Sequence, residues 1–352
     1  EEIDEATAIR AKMREMGVRP RPLTDVLVEK GYLDAEDLKT IQGEQHDVGG
    51  RERIAGFQIL ELLGRGAMGS VYKAKQLSLD RTVALKVLDP ELARDEAYVE
   101  RFMREARAVA RLSHTNLISG IDVGDDQGVK YLAMEYADGV TLARILHRGG
   151  ALDEERALGV AAQLARALDY AHKHGMVHGS VRPENVIITA DGVTKLCDLG
   201  VVRREASGDD DEEGIELEGT PYYLSPEQAR GRDEITAAAD LYALGCTLFH
   251  MLTGQPPFPA ESREAVLARH LTEPAPPVRS LAADVSEATG ALVARCLEKD
   301  TAARPASAAE VLGALEATGK RLRQAREQAI AGGATPSGPA AAPVVRRRHR
   351  RR

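Results

Sequence analysis

Tryptophan is absent from the 352-residue chain, and all aromatic residues together make up only 4% of it. Apolar runs are also short, and none reaches the roughly 18 residues that a membrane-spanning helix needs. Hydrophobic residues nevertheless make up 43% and charged residues 29% of the chain, which is typical of a globular protein with a substantial core. The composition therefore excludes a chain that is mainly disordered or mainly embedded in a membrane.

Cysteine is scarce as well. Cys197, Cys246 and Cys296 lie far apart, with no CxxC pair and no histidine cluster beside them. This spacing matches neither a zinc site nor a disulfide framework. We therefore expect buried thiols in a reducing compartment, and hence a cytoplasmic protein. Cys197 is the one candidate for a reactive thiol, because it precedes a predicted metal-binding aspartate.

Positive charge is in deficit over most of the chain. The net charge is −8, but six arginines lie within residues 346–352, so the rest of the chain carries −14. A body this acidic is not expected to bind nucleic acid. The tail has three possible roles: a solubilising end, a contact with nucleic acid or acidic lipid, or the cytoplasmic flank of a membrane helix beyond Arg352. We favour the last, since positive residues gather on the cytoplasmic side of such helices.

The chain divides into three predicted segments. Residues 1–48 have the apolar spacing of a small helical module that docks on its own chain or on a partner. Residues 57–315 contain the motifs described below. Residues 316–352 are predicted to form a helix, a flexible Ala/Gly/Pro/Ser-rich linker and the arginine-rich tail. Because the chain begins with glutamate rather than methionine, we expect it to be a fragment of a longer protein.

A glycine-rich sequence, Gly64-Arg65-Gly66-Ala67-Met68-Gly69, opens the second segment. The same glycine spacing in dinucleotide-binding folds opens a helix. Here the next residues, 71–74, have the pattern of a strand, so the glycines join two strands and let the backbone approach a phosphate. The following apolar strand contains Lys86, whose ammonium would be costly if unpaired. Glu105, in the helical stretch 98–112, is its candidate partner; the alternative is a surface lysine on an edge strand.

Asn185 and Asp198 are candidate metal ligands. Asn185 lies in the stretch 175–188, which has the pattern of a strand end, a loop and a strand, and Asp198 begins an Asp-Leu-Gly sequence. Oxygen ligands on two neighbouring loops suit a Mg²⁺ ion that bridges phosphates. An isolated Asp-x-Gly usually indicates only a turn, so the prediction depends on the motifs occurring together.

In their order and spacing these motifs resemble those of protein Ser/Thr kinases, in the style of the bacterial receptor-like kinases. The resemblance implies an α+β, bilobal protein kinase fold, with an antiparallel small lobe and one helix at 57–135 and a mainly helical large lobe at 136–315. The N-terminal helical extension would precede it. ATP and Mg²⁺ are the expected cofactors, bound between the lobes. Protein partners, as substrates or members of a signalling complex, are also implied.

The resemblance assigns roles residue by residue. The implied nucleotide-binding residues are Gly64, Gly66, Ala67, Met68, Gly69, Val71, Ala84, Lys86, Met134, Glu135 and Ala137. Met134 would be the gatekeeper, and Glu135-Tyr136-Ala137 the hinge that binds adenine. Lys86 would pair with Glu105 and hold the α- and β-phosphates.

Further residues match the family's metal site, acceptor site and large-lobe anchors. Asn185 and Asp198 would hold the metal, and Thr220 would face the acceptor hydroxyl. The implied structural residues of the large lobe are the pair Glu227 and Arg304 and the anchors Asp240 and Gly245.

The catalytic loop departs from the family pattern. The family's His-Arg-Asp appears as His178-Gly179-Ser180, so Ser180 occupies the position of the catalytic base. A hydroxyl is no base near neutral pH, and it has no charge to orient the acceptor. Gly179 removes an arginine that would clamp a phosphorylated activation loop, and Arg182 replaces a lysine, keeping the charge but not the shape. Glu184 is a nearby carboxylate that could substitute.

We therefore expect a pseudokinase that binds ATP and acts as a signalling switch or scaffold. The alternative is a genuine but slow Ser/Thr kinase that transfers the γ-phosphate to protein Ser/Thr. A third possibility, an interaction module that binds no nucleotide, is disfavoured because the predicted phosphate and metal ligands are all present. The acidic run 209–213 is expected to be a solvated loop; the alternative is a built-in phosphomimic or a contact with the arginine-rich tail.

Overall fold

The computed structural model describes residues 51–66, 68–198, 221–231 and 235–331. The predicted helical module 1–48, the acidic run 209–213 and the arginine-rich tail lie outside these residues. Within them, the chain forms a small lobe built on a sheet and a larger, mainly helical lobe. This is the two-lobed α+β architecture expected from the sequence. No helix in the described ranges has the length and apolarity needed to cross a bilayer.

The small lobe is built on an antiparallel sheet. Its strands are β1 Arg53–Ile54, β2 Phe57–Gly66, β3 Gly69–Gln76, β4 Arg81–Leu88, β5 Gly120–Asp126 and β6 Val129–Glu135. Their order in the sheet is β1-β2-β3-β4-β6-β5. Because β4 pairs with β3 on one side and β6 on the other, the alternative that Lys86 lies on an edge strand is wrong.

Side chains alternate between the two faces of this sheet and serve two apolar clusters. Leu85 packs with Phe57 and Tyr72 on one face. On the other face Ala84 packs with Met134 and with Phe102 of helix α1. This helix spans Glu96–Val109, slightly N-terminal to the predicted stretch 98–112. The helix and sheet therefore share a core, which places β4 and β6 beside α1.

The large lobe consists mainly of helices. They are α2 Leu142–Gly149, α3 Glu154–Lys173, α4 Pro226–Ala229, α5 Ala237–Thr253, α6 Arg263–Thr272, α7 Val278–Leu281, α8 Glu287–Cys296 and α9 Ala308–Ala331. Short 3-10 turns span Pro183–Asn185 and Thr301–Ala303 in this lobe, and a third spans Leu92–Arg94 in the small lobe. Helices α3 and α5 form the centre: ten of the 20 residues of α3 and 13 of the 17 residues of α5 are buried. The N-cap Asp153 starts α3 by accepting a hydrogen bond from the Arg156 amide.

A second, smaller sheet positions the candidate site. Strands β7 Gly139–Thr141, β8 Val186–Thr189 and β9 Thr194–Leu196 pair antiparallel in that order. The loop 178–185 enters β8, and Cys197 and Asp198 leave β9. Since β8 and β9 are neighbours, this sheet brings both loops that carry predicted metal ligands to one place.

Helix α9 runs without a break from Ala308 to Ala331 and packs along α3. The domain boundary predicted between residues 315 and 316 therefore lies inside one continuous helix. Ion pairs flank the contact: Arg166 to Glu316 at 2.6 Å and Arg326 to Glu155 at 3.3 Å.

Candidate active site

Lys86 projects from the middle of β4 toward the space between the lobes. Its Nζ lies 2.7 Å from Oδ1 of Asp198, and its side chain is 18% exposed. The ammonium is thus paired, as its apolar surroundings require. The backbone of Glu105 lies in α1, but its side chain is outside the described part of the structure, so the Lys86–Glu105 pair stays a prediction.

Asp198 has the electrostatics of a cation ligand. The charge of Lys86 lowers the pKa of this carboxyl; burial acts in the opposite direction, and the hydrogen bond from Lys86 adds to the lowering. The carboxylate is therefore ionised at neutral pH. Its backbone φ of +55° is unusual for a residue with a side chain, and such conformations occur disproportionately at functional sites.

Asn185 is oriented by Ser180. Its Nδ2 donates to the Ser180 carbonyl at 2.9 Å and to the Ser180 Oγ at 2.8 Å. Both bonds use the amide nitrogen, which leaves Oδ1 available to a cation. The Cys197 amide donates to the Asn185 carbonyl at 2.9 Å and so ties the two loops together. A carboxylate and an amide oxygen are ligands that Mg²⁺ accepts, so these residues fit the expected metal.

Asp240, near the start of α5, anchors the catalytic loop. Its fully buried carboxylate accepts from the backbone amides of His178 at 2.8 Å and Gly179 at 2.7 Å, and it lies 2.8 Å from Nε2 of His172. Gly179 adopts φ +73°, a conformation that favours glycine. The loop backbone is therefore held by the core of the large lobe.

The predicted pair Glu227–Arg304 is present. Arg304 donates from two nitrogens to the Glu227 carboxylate at 2.7 and 2.9 Å, and its side chain is fully buried. A further bond runs from Arg304 Nε to the Glu298 carbonyl at 2.8 Å. Gly245, the other predicted anchor, lies against Cys296, where an added Cβ would come within 2.6 Å of the cysteine Cβ.

Comparison with known proteins decides the family. Residues 57–314 match the family model described as the protein kinase domain. The chain belongs to this family.

The kinase domain is similar to bacterial Ser/Thr kinases. It is 40% identical to the Ser/Thr-protein kinase PknB of Mycolicibacterium smegmatis over 261 residues, which is 72% of this chain and 41% of the relative. It is 40% identical to Ser/Thr-protein kinase pkn3 of Myxococcus xanthus over 281 residues, 76% of this chain and 51% of the relative. The chain thus spans about half or less of the length of these curated relatives.

A solved structure supports the same fold. The crystal structure of the Mycobacterium tuberculosis PknI kinase domain superimposes with a TM-score of 0.58 at 30% identity, covering 75% of this chain and 96% of that domain. The predicted bilobal kinase fold is therefore confirmed.

The glycine-rich hairpin of the kinase domain lies between β2 and β3. Gly64 and Gly66 are on β2, Gly69 and Val71 on β3, and Met68 at the turn. Gly69 adopts φ +137°, and an added Cβ would lie 2.0 Å from the Val87 carbonyl oxygen, so only glycine fits there. The other implied nucleotide-binding residue of this hairpin, Ala67, and the implied acceptor-site Thr220 lie outside the described residues.

The implied gatekeeper and hinge lie at the end of β6. Met134 lines a cavity together with Lys86, Cys197, Asp198 and apolar side chains of α1.

Burial raises the pKa of the Cys197 thiol to about 12, so this cysteine is not a reactive thiolate at neutral pH.

The first hinge residue is tied to the large lobe by a pair that sequence reasoning missed. The Glu135 carboxylate lies 2.6 Å from Nζ of Lys195 on β9. On the other side Lys73 lies 4.7 Å from the ring centroid of Tyr136, a cation–π contact with the small lobe. No spacing rule links these residues, because only the tertiary fold brings the members of each pair together.

Gln228 was also missed, although a local signal was present. It forms a capping box with Ser225 at the start of α4, and its Nε2 donates to the Gly179 carbonyl at 3.0 Å. The sequence Ser225-Pro226-Glu227-Gln228 has the Ser-x-x-Gln form of such a box. This bond attaches α4 to the catalytic loop.

The other polar side chains near Ser180 are engaged in contacts of their own. Arg182 Nε donates to Oε2 of Glu184 at 2.8 Å, so the carboxylate that could substitute is paired with a cation. His178 is fully buried, and burial lowers its pKa. Its Nδ1 accepts from the Ser180 amide at 3.2 Å, so the ring nitrogen nearest Ser180 is engaged with the backbone.

Proposed function

We propose that this kinase domain binds ATP with Mg²⁺ between its lobes and acts as a pseudokinase, a signalling switch or scaffold with protein partners. One observation carries the proposal: Ser180, whose hydroxyl accepts a hydrogen bond from Asn185, stands where the family places the catalytic aspartate. The retained Lys86–Asp198 pair supports nucleotide and metal binding. When bound, Mg²⁺ would neutralise phosphate charge, with Asn185 and Asp198 as its protein ligands.

The missing carboxylate sets the expected loss of rate. A positioned acid–base group raises the reaction rate roughly 10²- to 10⁴-fold, and kinases turn over at about 1–100 s⁻¹. Without it, turnover is expected between about once per second and once per few hours. Phosphoryl transfer depends mostly on positioning and electrostatics, so slow transfer is compatible with the site.

The second candidate is a genuine Ser/Thr kinase that transfers the ATP γ-phosphate to protein Ser/Thr. The named relatives are Ser/Thr kinases, and they support this function better than the first. The chemistry at residue 180 favours the pseudokinase instead. Localisation and partners are proposals for either function: a cytoplasmic domain, with a membrane link through a segment beyond Arg352.

Nucleotide binding is tested first. We expect ATP with Mg²⁺ to raise the thermal midpoint of the unmodified chain and to have a much smaller effect on Lys86→Met, because ligand that binds only the folded state stabilises it. Arg166→Met is the control, since Arg166 forms a half-exposed ion pair on α3 away from the cleft. An unmodified chain that shows no response to ATP would favour the interaction module without nucleotide.

A phosphoryl-transfer assay then distinguishes the pseudokinase from an active kinase. We compare transfer of radiolabel from ATP to a generic basic protein by the unmodified chain, by Ser180→Asp and by Lys86→Met. The pseudokinase proposal predicts that Ser180→Asp is at least 100-fold faster than the unmodified chain. If the unmodified chain works at ordinary kinase rates and Lys86→Met does not, the second candidate is correct.

A further inference from the structure

Strand β2 has an open edge with two exposed leucines. Its residues Phe57 and Gln58 pair with β1, and beyond them no other strand of the described residues lies on that side of β2. On the opposite side, Leu60 and Leu63 are the two residues that the pairing with β3 skips. Their side chains are 50% and 42% exposed. A residue skipped in this way bulges out of the ladder and redirects its side chain.

The chain enters the small lobe beside these leucines. The Ile59 amide donates to the Glu52 carbonyl at 3.0 Å, and Nη1 of Arg51 donates to the Asp126 carbonyl at 3.3 Å. These bonds hold the start of the lobe next to Ile59, one position before Leu60. The 50 residues that precede Arg51 therefore connect to the lobe at this edge of β2.

The preceding segment carries apolar side chains that need a surface. Its last predicted helix, residues 35–42, is capped by Asp34 and ended by Gly43, and it places Leu38 and Ile41 on one face. A helix shorter than about 12 residues is marginal in water. A segment of about 50 residues also buries too little surface to be more than marginally stable alone. Both arguments favour docking of this helix on a neighbouring surface.

The connection is long enough for such docking and short enough to favour it. Ile41 lies ten residues before Arg51, and an extended chain spans up to about 3.3 Å per residue. Leu60 and Leu63 are separated by only about 10 Å along the strand. A short tether also gives the helix an effective concentration of about millimolar at this surface. The chain's own segment is therefore favoured over a second copy of the protein.

We propose that the open edge of β2 is an intramolecular docking surface, on which Leu38 and Ile41 of the N-terminal segment cover Leu60 and Leu63. An uncovered apolar strand edge invites pairing with other chains, so this contact would protect the small lobe. The inference goes beyond the nucleotide site and does not depend on ATP binding.

Hydrogen exchange of the full chain tests the proposal. We expect the amides of residues 37–42 to be protected, and the double substitution Leu60→Ser, Leu63→Ser to make them exchange about tenfold faster or more, because the short helix loses the surface that stabilises it. Leu281→Ser is the matched control, since Leu281 lies on α7 of the large lobe and is also 50% exposed. The amides of β4 show whether each variant is folded.

The reverse substitution is an independent check. Leu38→Ser with Ile41→Ser should speed exchange at residues 60–63 and leave α7 unchanged, and it decides alone if the β2 variant does not fold. Unprotected amides at 37–42 in the unmodified chain would overturn the proposal, as would protection that persists in the folded β2 variant or is lost equally in Leu281→Ser. Protection that rises with protein concentration would assign this edge to a second copy of the chain, and the proposal would be wrong.

Discussion

At the scale of single residues, the side chains of the catalytic loop depart from the family pattern, while buried contacts hold its backbone. The Asp240 carboxylate accepts from the amides of His178 and Gly179, and Asn185 donates to the Ser180 carbonyl. The last of these bonds would survive a change of side chain at residue 180. A carboxylate could therefore be introduced there without rebuilding the loop, which is why Ser180→Asp is an informative variant rather than a disruptive one.

Gly179 offers a direct test of this loop geometry. Its φ of +73° is strained for any residue with a Cβ, so Gly179→Ala should lower the free energy of unfolding by about 1 kcal/mol. Gly159→Ala is the matched control: Gly159 lies inside α3 with open space around it, and alanine there should stabilise by about 1 kcal/mol. Urea unfolding measures both. Stabilisation by both substitutions would contradict the left-handed conformation at residue 179.

Sequence reasoning was strongest where a motif is local. The glycine hairpin, the strand with Lys86 and the loop with Asn185 are continuous stretches whose residue types restrict the backbone, and the structure places Lys86 and Asp198 2.7 Å apart. Pairs that only the tertiary fold brings together have no spacing rule. The family resemblance alone predicted Glu227 with Arg304, and Lys195 with Glu135, which the resemblance did not include, was missed.

At the scale of elements, the Glu227–Arg304 pair joins α4 to the turn before α9. Burial alone would raise the pKa of Glu227, but the hydrogen bonds and charge of Arg304 outweigh it and hold the pKa below its ordinary value of 4.5. A carboxyl whose pKa is lowered by folding stabilises the fold above its unfolded pKa. That contribution is lost as the pH falls below about 4.5 and through the folded pKa.

Glu227→Gln should remove both the pair and its pH dependence. We expect the free energy of unfolding to fall by about 3 kcal/mol at pH 7, because Arg304 is left as a buried charge without a counterion. Between pH 5 and pH 3 the variant should lose less further stability than the unmodified chain. Glu316→Gln, which breaks a half-exposed pair, should cost under about 1 kcal/mol and keep the original pH slope. Equal slopes for the two variants would contradict the assignment.

At the scale of the whole molecule, β9 is where the two lobes meet. The Leu196 amide donates to the Asn116 carbonyl at 2.9 Å, and the Ile118 amide donates to the Leu196 carbonyl at 3.0 Å. Lys195, on the same strand, holds Glu135 of the hinge. β9 leads directly into Asp198. The strand that carries the predicted metal ligand therefore also carries these contacts between the two lobes.

Truncation of the C-terminal helix tests where the cooperatively folding unit ends. The family match stops at residue 314, but α9 continues to Ala331, and both Leu315 and Thr318 are buried in its contact with the rest of the large lobe. A chain ending at residue 314 loses this packing, at about 1.5–3 kcal/mol for a buried leucine. Its thermal midpoint should therefore fall by roughly 5 °C or more. A chain ending at residue 331 keeps the helix whole and should have the higher midpoint of the two truncated chains. Equal midpoints for the two truncated chains would show that residues 315–331 add nothing to the stability of the domain, despite their packing against α3.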